Sequence, residues 1–158
     1  MRNRTGYNYL KVPDVAAEMR HARAANLGGG LFFQNEQDFA RDFKRNLPGS
    51  NVVIRNWPDR SVPADPEAWL RSAQALGEGG LVVQTVNEVG FTEANLQFHE
   101  WLLNRIKRDK IKTNFGILGT SVGTPDPDHD WPRADKILRM ADEMRNQIHL
   151  ILHEYYGG

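Results

Sequence analysis

The sequence predicts an α/β fold of the (β/α) TIM-barrel type: a partial barrel of about six parallel strands with flanking helices. Three observations predict it. Strand-like and helix-like patterns alternate along the whole chain. The strand candidates are continuous apolar runs, as strands covered on both faces require. From the second strand on, they end in polar or aromatic groups, and no glycine-rich phosphate fingerprint joins a strand to a helix. Gly28-Gly29-Gly30 precedes a strand instead. An open doubly wound sheet gives the same local signals, but only a barrel gathers every strand tip at one mouth.

The elements follow in order. Tyr7–Val12 reads as a weak first strand. Pro13-Asp14 opens a helix with Val15, Met19, Ala22 and Asn26 on one face, and Leu27 to Gly30 closes it as a glycine cap. Leu31 to Asn35 is a strand. Glu36–Asn46 is a helix with Phe39 and Phe43 one turn apart, and Pro48-Gly49-Ser50 is a turn. Asn51 to Trp57 is a strand stopped by Pro58. Asp65-Pro66-Glu67 starts a helix with proline in its first turn, where the missing N–H costs nothing. Trp69, Ala73 and Leu76 form its inner stripe, and Gly77 to Gly80 ends it. Leu81–Val86 is a strand leading to Asn87 and Glu88. Thr92 caps a long helix in which Ala94, Phe98, Trp101, Leu102 and Ile106 share a face. Phe115 to Gly119 is a strand, and Thr120 to Pro132 a polar loop. Ala134, Ile137, Leu138, Ala141 and Met144 mark the next helix, and Ile148–Leu152 the final strand.

Composition narrows the function classes. The 158 residues suit one domain, read as a single barrel-like unit over residues 1–158 and incomplete at its C-terminus, because a full barrel takes about 250 residues. Twenty basic and twenty acidic residues cancel, which argues against a nucleic-acid partner. No apolar run reaches the roughly 20 residues of a membrane span, and no apolar stretch behind Met1–Gly6 suggests a signal peptide, so a soluble protein is expected. The absence of cysteine excludes thiolate catalysis, thiolate zinc sites and disulfides.

Two motifs carry a resemblance. V-V-Q-T-V-N-E-V (82–89) followed by L-I-L-H-E-Y (150–155) resembles the clan of TIM-barrel glycoside hydrolases, especially the cellulase-like type. N-F-G-I-L-G-T-S-V-G-T-P (114–125), Trp131 and L-H-E-Y resemble a group of glycosidase-like proteins of bacteria and phages. The resemblance covers most of the chain from about residue 30. It implies a hydrolase acting on a polysaccharide or cell-wall glycan, with Glu88 on the fourth strand as general acid/base. It implies substrate contacts from Asn87 beside Glu88, and from His153 and Tyr155 on the sixth strand. The clan's nucleophilic Glu belongs to a seventh strand that has no counterpart here, and Val89 stands where proline often follows Asn-Glu. Cleavage needs two carboxyl groups, about 5 Å apart for retention or roughly 6.5–9.5 Å for inversion. Glu154 is then the second candidate, although its inward-facing neighbours His153 and Tyr155 would turn it away. Arg55 would keep a carboxylate ionised. Trp57 and Trp131 offer flat faces for sugar rings.

Other readings compete at each position. Glu88 also suits an ion pair with Arg55, His153 a core histidine, Trp57 a lid on the core, Trp131 a loop anchor, and Glu154 a structural role. Trp69 and Trp101 lie on helix stripes and belong to packing. Asp126, Asp128, His129 and Asp130 have the chemistry to hold a calcium or another cation, but with few glycines and no EF-hand spacing they read as a solvated acidic loop, and neither metal nor cofactor is expected. The alternative function is a non-catalytic, degenerate barrel serving as a carbohydrate-binding or assembly module, for example in a phage particle. An unfinished barrel leaves two strand edges to be covered, so a homo-oligomer or a partner chain completing the barrel is expected.

Overall fold

A computed structural model describes residues 6–9, 14–25, 27–56, 61–120 and 128–152. Strands and helices alternate: β1 (Gly6–Tyr9), α1 (Val15–Ala24), β2 (Gly29–Phe33), a 3-10 turn (Gln34–Glu36), α2 (Gln37–Asn46), β3 (Asn51–Arg55), α3 (Pro66–Leu76), β4 (Val82–Gln84), α4 (Glu93–Asp109), β5 (Asn114–Thr120), α5 (Asp130–Asp142) and β6 (Ile148–Leu152). The strands are all parallel and lie in chain order, β1 through β6. Right-handed crossovers that always advance one strand in the same direction place every helix on the same face of the sheet. The α/β architecture with a parallel sheet and flanking helices is therefore as the sequence predicts.

Register sorts the side chains between the two faces. Phe32, Ile54, Val83, Phe115 and Ile148 are successive cross-strand partners, and all are buried. They form the row under the helices. Phe32 meets Phe39 and Phe43 of α2 edge-on, with both ring centroids 5.4 Å away. Trp69 of α3 packs edge-on against Phe98 of α4 at 5.3 Å and against Phe115 at 6.0 Å, while Trp101 stacks on Phe98. The two tryptophans are packing residues, as their helical spacing implies. The neighbouring row, Phe33, Arg55, Gln84, Gly116 and His149, points to the helix-free face.

Three helices start on side-chain caps. Asp14 accepts from the Ala17 N–H at 2.9 Å, Asp65 from Ala68 at 2.9 Å, and Thr92 from Asn95 at 3.2 Å. Some expected boundaries move. Gly29 and Gly30 are strand residues, not a helix cap, and α1 ends instead at Ala25. A Cβ on Gly29 would lie 2.2 Å from the Asn51 carbonyl oxygen, so close strand approach requires the glycine. Gln34 and Asn35 are exposed and coil into the 3-10 turn instead of extending β2. β4 stops at Gln84, so Asn87 and Glu88 lie in the loop beyond it.

No helix among the described residues is long and apolar enough to cross a membrane.

Candidate functional site

Phe33, Arg55 and Gln84 are the last residues of β2, β3 and β4, and they are paired across the sheet. They make one polar layer at the carboxyl ends of the strands, on the face without helices. The Arg55 guanidinium lies over the Phe33 ring, 4.9 Å from its centroid. Its Nε donates to Gln84 Oε1 at 3.3 Å, and Gln84 Nε2 donates to the Val86 carbonyl at 2.9 Å. Gln84 is buried, and both ends of its amide are engaged, so it orients the guanidinium plane.

The backbone beyond β4 bends beside this layer. Glu88 has a φ of 54° and Leu118 on β5 a φ of 59°. Non-glycine residues seldom hold this left-handed conformation, and such strain collects at functional sites. The two bends are linked, because the Glu88 N–H donates to the Gly119 carbonyl at 2.7 Å. Gly119 also packs against Gln84: a Cβ there would lie 2.4 Å from the Val86 oxygen and 2.9 Å from Gln84 Nε2. Arg55, Gln84, Gly119 and the Glu88 backbone thus form one chain of contacts. Leu118 sits where the pairing of β5 with β6 shifts register between Ile117 and Thr120, and the extra residue creates the bend.

Behind this turn lies a wholly buried histidine, His99 of α4. Its Nδ1 donates to the Asn95 carbonyl at 2.8 Å, since a carbonyl only accepts, so Nε2 is the acceptor nitrogen. Nε2 receives the Leu118 N–H at 3.2 Å and lies 2.8 Å from the Thr85 hydroxyl. Burial pushes the His99 pKa down to about 4, against a smaller upward pull from the hydrogen bond to Asn95.

The candidates read from sequence divide as follows. Arg55 belongs to the polar layer. Asn87 is buried and Glu88 half-exposed in the turn after β4. Asn56 faces the other way, accepting a hydrogen bond from Ser72 of α3 at 3.3 Å, so the strand tips do not all converge. Trp131, near the start of α5, packs edge-on against Phe91 at 5.3 Å and is half-buried, which makes it an anchor between α5 and the β4–α4 loop. Trp57, His153, Glu154, Tyr155 and Asp126 lie outside the described residues. Asp128 and His129 are exposed just before α5, and the described residues hold no group of three or more metal-ligating side chains. Gln84 and His99 were not singled out from sequence; their signal is a polar residue inside an otherwise apolar strand or helix stripe.

Away from this layer, a recess of about 490 Å³ runs between α3 and the segment entering β5. Its lining includes Glu67, Arg105 and Asp109, which are paired: Arg105 bridges Glu67 and, at 2.7 Å, Asp109. Hydrogen bonds from Arg108 and then Arg105 hold the exposed Asp109 carboxyl down at about 2.

No protein-family model matches the sequence, and no curated protein matches it. Solved structures do match. One is the lysine decarboxylase of Selenomonas ruminantium, with 16% identity and a TM-score of 0.48, covering 94% of this chain and 42% of that one. Another is described as SrLDC in complex with PLP and cadaverine, with 18% identity and a TM-score of 0.46, covering 93% of this chain and 42% of that one. The chain thus spans well under half the length of these structures, and at this identity and score the likeness carries no activity across. It does correct the sequence reading, because the neighbours are lysine decarboxylases and not glycoside hydrolases. The glycoside hydrolase reading, with Glu88 as acid/base in sugar cleavage, and the carbohydrate-binding reading are corrected with it. The physical reason is the brevity of the motifs. Asn-Glu and His-x-Tyr are strings of two and three residues, and Asn87-Glu88 falls in a left-handed turn past the end of β4 instead of on the strand.

Proposed function

We infer that the chain is a partial (β/α) barrel of the TIM type that binds a small organic anion, a carboxylate or a phosphate, at the carboxyl ends of β2 to β4. The observation that carries this reading is the layer formed by the last residues of three neighbouring strands, with Arg55 oriented by Gln84 and laid on Phe33. Consecutively ordered parallel sheets bind their ligands at this end. A planar guanidinium matches a carboxylate or phosphate through paired donors. The test is thermal unfolding against a panel of small carboxylates and inorganic phosphate. A ligand at 100 times its Kd adds about 2.7 kcal/mol to stability, so the wild type melts higher with the right anion and Arg55→Gln does not. No gain with any anion, or an equal gain in Arg55→Gln, overturns the proposal.

We also propose that the sheet edges are covered by a second copy or a partner chain. Among the described residues β1 and β6 each pair on one side only, and Leu150 on β6 is 44% exposed.

A further inference from the structure

We propose that His99 is a positioning residue that, together with Asn95, sets the left-handed backbone of Glu88 from the helix behind it. This role concerns the backbone alone and needs no ligand.

The geometry forms a relay with few joints. The His99 ring is fixed on α4 by its Nδ1–H bond to the carbonyl of Asn95, one turn earlier. That bond leaves Nε2 unprotonated, facing β5, where it takes the Leu118 N–H. Leu118 occupies the bulge with its φ of 59°. The same bulge turns the next carbonyl, that of Gly119, toward β4, where it receives the Glu88 N–H. The far side of Glu88 is held from the same helix: Asn95 Nδ2 donates to the carbonyls of Val89 at 3.3 Å and Gly90 at 3.0 Å. His99 and Asn95 therefore grip the Glu88 turn from both sides, and each is itself wholly buried.

A histidine that only filled the core would need no such arrangement. A bulged strand leaves one N–H without a ladder partner. Here that orphan is the Leu118 N–H, and a ring nitrogen from another element takes it up. The αL conformation is unfavourable for a residue with a Cβ, so Glu88 and Leu118 hold their conformations only while the surrounding bonds over-determine them.

The test is a solution NMR comparison of wild type with His99→Leu, His99→Gln and the control Leu103→Ala, which cuts a buried α4 side chain outside the relay. A positive φ brings a residue's own amide and Hα protons together and gives a strong intraresidue cross-peak. We expect strong cross-peaks at Glu88 and Leu118 in the wild type, their loss at both in His99→Leu, and their retention in Leu103→Ala. In His99→Gln the amide oxygen takes the place of Nε2, and both peaks are retained. Retention at Glu88 in His99→Leu, or loss in Leu103→Ala, overturns the proposal. Should His99→Leu not fold, the wild-type tautomer decides: an Nδ1–H ring supports the relay, and an Nε2–H ring, unable to accept from Leu118, refutes it.

Discussion

At the scale of the residue, His99 makes the sharpest thermodynamic statement. Its folded pKa of about 4 lies below the ordinary 6.5 because burial disfavours the cation. Between those values the unfolded chain binds a proton that the folded chain refuses. Stability from this group is therefore complete above pH 6.5 and drains away as pH falls toward 4, by on the order of 3 kcal/mol. His149 is also lowered, by burial and then by Lys44, and acts in the same direction. Asp109 acts lower on the scale, its contribution being lost as pH falls through about 2. Urea unfolding at a series of pH values should show the loss from pH 6.5 to 4 in the wild type and a flatter profile in His99→Gln; equal slopes would contradict the assignment. Sequence alone picked out Arg55, Asn87 and Glu88, because charged and amide groups after an apolar run stand out. It passed over His99 and Gln84, because a single polar residue inside an apolar stripe looks like an interruption until its partners in other elements are known.

At the scale of the element, local chemistry was legible wherever it is self-contained. Asp65, followed by Pro66, caps α3 by accepting the Ala68 N–H, so Asp65→Ala should cost about 1 kcal/mol in chemical denaturation. Phe43 of α2 is fully buried against Phe32, and Phe43→Ala should cost about 3–5 kcal/mol in the same measurement. The glycines show where local reading stops. Gly28 to Gly30 resembles a helix cap, yet Gly29 is required by the carbonyl of Asn51 on the adjacent strand, a demand that no local pattern reveals. Gly119 answers a similar demand from the Val86 carbonyl. Gly119→Ala should destabilise by about 1–3 kcal/mol and should weaken anion binding as well, because it displaces Gln84 and the acceptor of the Glu88 N–H. A stable Gly119→Ala protein with unchanged binding would detach the β5 bulge from the site.

At the scale of the whole molecule, alternation of apolar strands and amphipathic helices was enough to fix the parallel α/β sheet, because period and composition belong to each segment separately. The family likeness failed because it rested on dipeptide and tripeptide strings whose meaning depends on where the strand stops, and β4 stops short of Asn87. The edges of the sheet lead to a prediction about assembly: light scattering behind size-exclusion chromatography should give a mass above that of one 18.0 kDa chain, alone or with its partner, and a monomer with no partner at any concentration would contradict it. The anion site proposed at the carboxyl ends of β2 to β4 is gripped by Arg55 and framed by the Glu88 turn. It is tested most directly by following backbone amide resonances while inorganic phosphate, and then a small dicarboxylate, is added. Saturable shifts concentrated at Phe33, Arg55, Gln84, Glu88 and Gly119 are expected, with none in Arg55→Gln. Shifts confined to the recess beside α3, which Arg71, Lys110 and Lys112 also line, or none at any concentration, would speak against it.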